Sequence, residues 1–456
     1  MTTFILRAMS GNGLVERLAR SIGWTAFGFL GMQALRLVSN LILTRLLFPE
    51  AFGLMALVSV FMIGLAMFSD IGLGPSIMQN PRGDEPTFLN TAWTIQAIRG
   101  ACLWLATCVL AGPVAAFYAE PQLAQLLPAA GLSLLIAGFN STKLETANRH
   151  LVLGRVTALD IISQVAGLIV MIGLAWVMRS VWSLVIGIIV TAAVKLWLSH
   201  ALLPGARNAF LMDRLAAGEL VHFGKWIFLS TVLGFLIAQG DKIIFGKFLE
   251  LGMFGVYNIG YFLASFPILL GSAVMTRVLI PLYRERPPAA SQDNFAKISR
   301  ARYGLSASIL LLLACMALVG PTLVNLLYDS RFAAAGAVVV VVSCAHIPYV
   351  IGMTYEHAAL AAGDSRNVFV VMALKSATQL GLLLAGLAWG GLAGGLAGQA
   401  LALAMMHPAL IRLARRHKAW DPRHDIVFSL AGIAIGALAL TVNQESLAVL
   451  STFHRP

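Results

Sequence analysis

The chain has 456 residues, of which 59% are hydrophobic and only 11% are charged, and its mean hydropathy is +0.83. Soluble globular domains carry about a quarter charged residues, so the composition excludes that class and indicates a polytopic membrane protein. The formal net charge of +12 does not point to a nucleic-acid partner, because the cations lie mostly in short loops between apolar segments. That distribution is typical of charges that orient a membrane protein.

The first twenty residues carry Arg7, Arg17 and Arg20 around a weakly apolar run, and no small-residue cleavage site follows closely. This pattern predicts a cytoplasmic N-terminal segment over residues 1–20 and no removable signal peptide. Six apolar segments of span length follow, near residues 21–44, 51–76, 91–116, 123–143, 156–178 and 181–203. They form a predicted N-lobe over residues 21–203.

A polar cytoplasmic linker over residues 204–221 leads to six more segments, near 222–246, 253–280, 303–328, 333–359, 367–388 and 391–412. These form a predicted C-lobe over residues 222–412. Residues 413–456 hold a basic loop, a thirteenth span near 425–442 and a short tail. The sequence therefore predicts an all-α membrane protein of two six-helix bundles with one or two C-terminal helices. Whether there are 12, 13 or 14 spans, and so on which side the chain ends, stays open.

The loops support this order of spans. With the amino terminus in the cytoplasm, twenty Lys and Arg residues fall in cytoplasmic loops. The opposite loops contain five: Arg45, Arg179, Lys247, Arg331 and Arg455. One missing span would scramble this bias, so the positive-inside rule supports the count through the twelfth span.

Charged side chains also lie within the predicted spans. The basic ones are Arg36, Arg99, Lys195, Lys225, Lys242, Arg277 and Lys375, and the acidic ones are Asp70, Asp160 and Asp241. Ten such groups facing hydrocarbon would cost roughly 25–35 kcal/mol, more than the stability of a typical domain. Most of them are therefore expected to line a wet interior or to pair, although Lys195 and Lys225 are placed where they can also reach the headgroups.

An internal repeat organises the predicted spans. A shift of 202 positions without a gap aligns Trp24 with Trp226, Ile42 with Ile244, Arg45 with Lys247, Phe52 with Phe254, and Gly53 with Gly255. The stretch from Phe223 to Tyr257 is thus predicted to be the first helix pair of a second, copied half.

The sequence lacks the motifs of several kinds of catalytic or metal site. No nucleotide cradle, histidine pair at metal spacing or nucleophile elbow is present, and the cysteines Cys102, Cys108, Cys315 and Cys344 lie in apolar runs. The residues His346, Glu356 and His357 are interpreted as isolated core groups. No cofactor is expected, and the chain is predicted to be a secondary transporter, not an enzyme.

Five stretches of the sequence, in this order along the chain, are similar to those of a known family: Leu46–Leu57 (LLFPEAFGLMAL), Ser69–Gln79 (SDIGLGPSIMQ), Asn148–Gly167 (NRHLVLGRVTALDIISQVAG), Phe223–Pro267, and Thr276–Arg284 (TRVLIPLYR). Together they resemble the bacterial polysaccharide flippases, the lipid-linked oligosaccharide branch of the multidrug, oligosaccharidyl-lipid and polysaccharide exporter superfamily. The resemblance runs from about residue 20 to 415. Many members have fourteen spans, so this chain departs from them at its C-terminal end.

The resemblance implies two pseudo-symmetric six-helix lobes around a V-shaped central cavity that opens to one side of the membrane at a time. It also implies a substrate, an oligosaccharide repeat unit linked through pyrophosphate to a polyprenyl lipid, which moves to the periplasmic leaflet of the inner membrane for exopolysaccharide or O-antigen synthesis. A polysaccharide polymerase and glycosyltransferases are implied as partners, beside the membrane lipids.

Site residues follow from the intramembrane charges, because a pyrophosphate needs cationic partners. The expected headgroup contacts are Arg36, Arg99, Lys242, Arg277 and Lys375. The acids Asp70, Asp160 and Asp241 are expected to bind a coupling proton or sodium ion, or to hold those cations in place.

Three alternatives stay open at this point. A drug or organic-cation antiporter of the same superfamily would need acidic or aromatic cavity walls, and the basic excess argues against it. A peptidoglycan-precursor flippase has closely related substrate chemistry. A membrane-embedded polysaccharide polymerase or ligase would be an enzyme of a different class, and the short external loops argue against it.

Overall fold

The computed structural model describes residues 14–70, 72–224 and 228–451. Regular structure in these ranges is helical throughout, with one short 3-10 turn at Ser330–Phe332. The helices are α1 (Leu14–Leu46), α2 (Pro49–Phe68), α3 (Leu73–Gln79), α4 (Pro86–Tyr118), α5 (Leu123–Gly138), α6 (Lys143–Arg149), α7 (Leu153–Met178), α8 (Trp182–Ala201), α9 (Arg214–Gly224), α10 (Phe228–Phe248), α11 (Leu251–Glu285), α12 (Gln292–Leu327), α13 (Ala335–Ala361), α14 (Ser365–Met405), α15 (His407–Arg416), α16 (Pro422–Val442) and α17 (Gln444–Ser451).

Within the described ranges, ten helices are long and apolar enough to cross a membrane, or eleven if the bent pair α5 and α6 is one span. The chain is therefore a multi-pass membrane protein, and the predicted all-helical fold is confirmed. Each of the thirteen predicted spans corresponds to a described helix or helix half. The charged helix α10 is not among the ten.

Some predicted spans end at other residues than expected. The second predicted span reaches residue 76, but α2 ends at Phe68 and a new helix begins at Leu73. Asp70 causes part of this break, because its Oδ1 accepts a hydrogen bond from the Gly72 backbone N–H at 2.9 Å and Gly72 has a φ of 66°. The first helix begins at Leu14, inside the segment predicted to precede it. Residues 1–13 of that segment lie outside the described residues.

Helix α14 covers the eleventh predicted span and the twelfth as far as Met405, and the last residues of the twelfth lie in α15. Its backbone leaves the helical conformation at Gly390 and Gly391, and Gly391 has φ 55° and ψ −142°. Only glycine adopts that combination without steric cost, so the predicted boundary between the two spans is a kink at this glycine pair.

The described residues form two compact units. The first contains those up to Leu47 together with Leu57–Val232, and the second contains Phe48–Ala56 together with those from Leu233 onward. In the first unit, α4 packs on α5, α7 packs on α8, and α8 also packs on α5. The predicted linker 204–221 lies within the first unit. The boundary between the two units, after Val232, therefore follows the linker in the chain.

Helix α13 forms the core of the second unit. It contacts α11, α12, α14, α15, α16 and α17. In its most apolar stretch 72% of the residues are buried, against 22–39% for the other candidate spans. Val338, Val339 and Val340 of its valine run are completely buried, because neighbouring helices pack around this part of α13.

The predicted repeat is confirmed in the positions of the helix ends. Helix α1 ends at Leu46 and α2 begins at Pro49, whereas α10 ends at Phe248 and α11 begins at Leu251, which is a shift of 202 at both boundaries. Leu47 N–H and Leu249 N–H each donate to the carbonyl four residues earlier at 2.8 Å. The aligned pair Trp24 and Trp226 is not tested, since Lys225 and Trp226 lie outside the described residues.

Two aligned glycines lie at a close contact inside the second unit, where the start of α2 meets the start of α11. A Cβ atom at Gly53 would lie 2.3 Å from the carbonyl oxygen of Leu251. A Cβ atom at Gly255 would lie 2.0 Å from the carbonyl oxygen of Pro49. The contact is thus reciprocal under the 202-residue shift, and small residues are required for backbones to approach this closely.

We predict that Gly53→Ala and Gly255→Ala each lower thermal stability, because the added methyl group overlaps a backbone atom that cannot move alone. Overpacking of this kind costs about 1–3 kcal/mol. The measurement is the melting temperature of the purified protein in detergent. Gly381→Ala in α14 is the control, since nothing lies within 4 Å of a Cβ there. Equal melting temperatures for all three variants would contradict the close contact.

Candidate functional site

The eight predicted site residues are divided between the two units. Arg36, Asp70, Arg99 and Asp160 belong to the first, and Asp241, Lys242, Arg277 and Lys375 belong to the second. No single cluster within one unit therefore contains all eight residues. Their surroundings differ, and each group is described within its own unit.

Arg99 binds the end of helix α2. Its Nε donates to Ser69 Oγ at 2.9 Å, and one Nη donates to the carbonyl oxygen of Ala66 at 2.7 Å. A guanidinium group at a helix C-terminus satisfies carbonyls that have no intrahelical partner and interacts favourably with the helix dipole. Asp70 is close enough to add an electrostatic attraction. Arg99 therefore has a structural role here, and its predicted binding role stays a prediction.

Asp160 and Lys195 form an ion pair between two adjacent helices. Asp160 lies on α7, Lys195 lies on α8, and the Oδ1–Nζ distance is 2.7 Å. Both side chains are about one-third exposed. Of the two roles predicted for Asp160, charge pairing is the one that this geometry supports. Arg36, on α1, is exposed.

Asp241 is a buried carboxylate with one satisfied oxygen. It is 2% exposed, and its Oδ2 accepts a hydrogen bond from the hydroxyl of Tyr257 on α11. Its Oδ1 is buried and has no hydrogen-bond partner. A buried acceptor without a partner is unfavourable, and a proton or a sodium ion on Oδ1 would satisfy it. This geometry fits the predicted ion-coupling role.

Lys242 lies next to Asp241 in the chain but has different contacts. Its Nζ donates to the side-chain oxygen of Gln239 at 3.1 Å and lies 5.2 Å from the centre of the Tyr261 ring. Tyr261 and Tyr257 are one helical turn apart on α11, and their ring centres are separated by 5.7 Å. One face of α11 thus contacts both Asp241 and Lys242 of α10.

Lys375 is a buried cation on α14. It is 9% exposed, and its Nζ lies 4.0 Å from the centre of the Tyr349 ring and 3.9 Å from Glu356 Oε1. A cation over an aromatic face is stabilised without losing its charge, and the carboxylate contact is long. One turn later, Gln379 Nε2 approaches the carbonyl oxygen of Ile237 on α10 at 3.4 Å, and its Oε1 is buried without a partner.

His346 on α13 lies between these two groups. Its ring packs edge-on against Tyr261, and both Asp241 and Lys375 act on it electrostatically. Its Nδ1 donates to the carbonyl oxygen of Val342 at 2.7 Å, because a carbonyl can only accept. Residues of α10, α11, α13 and α14 therefore form a polar cluster inside the second unit, which we call the Asp241–Lys375 cluster.

Sequence reasoning missed several members of this cluster. Tyr257, Tyr261, Tyr349 and Gln379 received no role, and the interpretation of His346 and Glu356 as isolated is wrong. Their spacing held a signal, because His346, Tyr349 and Glu356 lie on one face of α13 at helical intervals. The members of the pairs Tyr257–Tyr261 and Lys375–Gln379 are four residues apart, so each pair also lies on one face of its helix.

The start of α14, which carries Lys375, is held by Asp364. Both carboxylate oxygens accept from the Asn367 side chain at 2.8 and 2.9 Å, and His417 Nε2 lies 2.9 Å from Oδ2. The hydrogen bonds from Asn367 and then from His417 hold the pKa of Asp364 below its usual value. A carboxylate with a lowered pKa stabilises the fold above its unfolded-state pKa, and this contribution is lost as the pH falls through the folded-state pKa.

Comparison with known proteins gives a family match. The model of a family described as "Polysaccharide biosynthesis protein" matches residues 42–337. The succinoglycan biosynthesis transport protein ExoT of Rhizobium meliloti is 25% identical over 269 residues, which cover 59% of this chain and 54% of that protein. The lipopolysaccharide biosynthesis protein WzxC of Escherichia coli is 23% identical over 287 residues, covering 62% of this chain and 57% of that protein. The chain thus matches over about half the length of these relatives.

Solved structures with the same fold include two classes of transporter. A lipid II flippase MurJ in an inward closed conformation has a TM-score of 0.70 at 12% identity, covering 94% of this chain and 98% of that one. An inward-facing multidrug resistance transporter of the MATE family has a TM-score of 0.57 at 14% identity, covering 89% and 95%. At these identities the similarity concerns the two-lobe helical fold alone, and it confirms that part of the predicted fold class.

We predict that Arg99→Gln lowers the free energy of unfolding by about 1–3 kcal/mol, since it removes a charged donor from two acceptors at the end of α2. Thermal unfolding of the purified protein provides the measurement. The control is Arg277→Gln, because Arg277 is an exposed arginine of a predicted span without a recorded side-chain contact in the described part of the chain. If Arg99→Gln were as stable as Arg277→Gln, the structural role of Arg99 would be wrong.

Proposed function

The chain belongs to the polysaccharide biosynthesis protein family, and from this premise we propose that it is a flippase for lipid-linked oligosaccharides. Its substrate would be an oligosaccharide repeat unit joined through pyrophosphate to a polyprenyl lipid. The protein would reside in the bacterial inner membrane with its amino terminus in the cytoplasm. It would deliver the repeat unit to the periplasmic leaflet by alternating access, for exopolysaccharide or O-antigen synthesis.

One observation of the site carries this proposal. The ammonium group of Lys375 is buried among membrane-spanning helices, and in the described part of the chain its partners are a tyrosine ring at 4.0 Å and a carboxylate oxygen at 3.9 Å. Neither contact is a short ion pair, so much of its charge remains available to an anion. Pyrophosphate is such an anion, and charge-assisted contacts to it are among the strongest hydrogen bonds in proteins. The other expected headgroup contacts are Arg36, Arg99, Lys242 and Arg277.

The Asp241 carboxylate is the proposed coupling group. Its unpartnered Oδ1 would take a proton or a sodium ion, and Tyr257 and the cations Lys242 and Lys375 lie in the same cluster. Loading a cation there reduces the negative charge near Lys375, which then attracts an anionic headgroup more strongly. Binding of the coupling ion and of the substrate would thus be linked within one unit. Asp70 and Asp160 have local partners, in the Gly72 backbone and in Lys195.

A peptidoglycan-precursor flippase is the second candidate, because the MurJ structure has the higher of the two TM-scores given above. The family match favours the first candidate, since the relatives are named for succinoglycan and lipopolysaccharide biosynthesis. Both substrates carry a polyprenyl pyrophosphate, so the charges of the site serve either. If the first candidate holds, the polymerase and glycosyltransferases that build the same polymer are the expected partners.

A deletion strain separates the two candidates. We expect loss of the surface polysaccharide, with accumulation of its lipid-linked repeat unit in the cytoplasmic leaflet and normal peptidoglycan. Complementation with the wild-type gene is the control. Normal polysaccharide export without an accumulated intermediate would refute the first candidate, and accumulation of the peptidoglycan precursor would establish the second in its place.

We further predict that Asp241→Asn abolishes gradient-driven transport while the protein still binds substrate. The amide has nearly the same shape and can still accept from Tyr257, but it cannot take a proton or hold a sodium ion well. Transport into vesicles with an imposed proton or sodium gradient is the measurement, beside binding of the lipid-linked substrate. Asp293→Asn changes an exposed carboxylate and serves as the control. Wild-type transport by Asp241→Asn would exclude Asp241 from coupling.

A further inference from the structure

A groove lies on the first unit, at the ends of three membrane-spanning helices. It has a volume of about 690 Å³ and is lined by residues of α4, α5 and α8 and by the residue that follows α5. Trp93, Phe139 and Trp197 provide large apolar walls, and Ile136, Ala193 and Leu196 complete the apolar lining. The Trp93 indole N–H donates to the carbonyl oxygen of Phe139 at 3.2 Å, so the polar atom of that wall is already satisfied. The groove therefore favours a hydrocarbon.

The segment after α8 supports contact with lipid on this side of the unit. Its backbone is fixed along the start of α4, where Ala209 N–H donates to Asn90 and Leu211 N–H donates to Thr94. This segment exposes Phe210 by 68%, and the ring centre of Phe210 lies 4.7 Å from that of Trp93. The exposed Met212 and Leu215 enlarge the apolar surface. A patch of this kind beside membrane-spanning helices is expected to face lipid, because exposure to water would be unfavourable.

A cation contacts the backbone of one residue of the groove wall. Lys143 is 9% exposed, and its Nζ donates to the carbonyl oxygen of His200, a residue of the groove wall, at 3.1 Å. No ion pair of Lys143 with an acid is present in the described part of the chain. An ammonium group has three donors, so one carbonyl leaves it incompletely satisfied. A buried cation of this kind favours an anionic ligand.

The groove lies at one leaflet. The start of α4, the end of α5 and the end of α8 adjoin loops that the distribution of Lys and Arg assigns to the cytoplasmic side. A flippase of the proposed kind takes its substrate from that leaflet. The apolar groove and the nearby cation Lys143 are thus placed where a lipid carrier would be bound before it crosses the membrane.

The arrangement distinguishes between kinds of lipid. The Lys143 ammonium group contacts the backbone of a groove residue, so a phosphate joined directly to the hydrocarbon reaches both more readily than a phosphate held away by a spacer. In a polyprenyl phosphate the phosphate is esterified to the end of a single chain. In a glycerophospholipid a glycerol unit with two esters separates the phosphate from two chains.

We propose that this groove binds the isoprenoid chain of the lipid carrier in the cytoplasmic leaflet, with Lys143 contacting the adjacent phosphate. The assignment rests on the proposed function and extends it, because it gives the lipid part of the substrate a binding site in the first unit. The sugar and pyrophosphate part would use the cations named above.

Photolabelling of the full-length protein in nanodiscs tests this assignment. The probe is a polyprenyl phosphate with a diazirine in its chain, and a phosphatidylglycerol with a diazirine in an acyl chain is the comparison. We expect the first probe to label peptides that contain Ile136 or Trp197, and unlabelled polyprenyl phosphate to compete. Ala193→Trp fills the groove with an exposed side chain and should reduce labelling at least tenfold. Ala116→Trp, exposed at the other end of α4, should have no effect.

Lys143 is tested with a second pair of probes. Lys143→Gln should weaken labelling by polyprenyl phosphate about tenfold and should leave labelling by the uncharged polyprenol unchanged, because only the phosphate needs a cation. Lys143→Arg should retain labelling by the phosphate. An equal loss with both probes would overturn the role of Lys143.

Other outcomes would overturn the groove itself. These are undiminished labelling in Ala193→Trp, or equally strong labelling by phosphatidylglycerol, which would make the groove a site for bulk lipid. The labelling does not depend on transport. Groove labelling in a protein whose deletion leaves export intact would therefore refute the proposed function alone. An unlabelled groove in a protein whose deletion abolishes export would refute this inference alone.

Discussion

The constraint on which the structure depends is that an ionic group packed between apolar helices needs a partner within its own helix bundle. A charge facing hydrocarbon costs several kcal/mol, and a buried pair is stable only when its hydrogen bonds are made. This protein uses two solutions. Asp160 and Lys195 neutralise each other across α7 and α8. Arg99, Lys143 and Lys375 are held mainly by carbonyl, hydroxyl or ring contacts, which fix the side chain and leave its positive charge.

The second solution connects the fold to the proposed function. A cation that is positioned mainly by uncharged groups costs stability, and binding of an anionic ligand can offset that cost. Lys375 in the second unit and Lys143 in the first are such cations. The same reasoning applies with opposite sign to Asp241, whose unpartnered oxygen would be satisfied by a proton or a sodium ion. The proposed binding sites therefore coincide with sites of local instability.

Features set by local sequence could be predicted well. The length of the apolar segments and the breaks between them fixed the helices, and the ends of α1 and α10 agree with the repeat to the residue. The predicted boundary between two spans falls at Gly390 and Gly391, where glycine allows the backbone to leave the helical conformation. The short break after α2 was missed, since it depends on one hydrogen bond from Gly72 to Asp70 and not on hydropathy.

The contacts of the site could not be predicted, because they depend on how each helix is rotated about its axis. Hydropathy did not show that Asp160 faces Lys195, or that Arg99 reaches the carbonyl of Ala66. His346 and Glu356 were interpreted as isolated because their partners, Tyr261 and Lys375, lie on other helices. The roles of the eight predicted residues in binding and coupling stay predictions, although the cluster gives three of them, Asp241, Lys242 and Lys375, a common environment.

The most direct measurement of the central claim is transbilayer movement by the purified protein. Liposomes would contain a lipid-linked oligosaccharide with a fluorescent label on its sugar, and a membrane-impermeant reductant would bleach the label in the outer leaflet. With the protein and an ion gradient, the account predicts that the protected inner pool becomes accessible and is bleached. A protected pool equal to that of protein-free liposomes, under either a proton or a sodium gradient, would contradict the account.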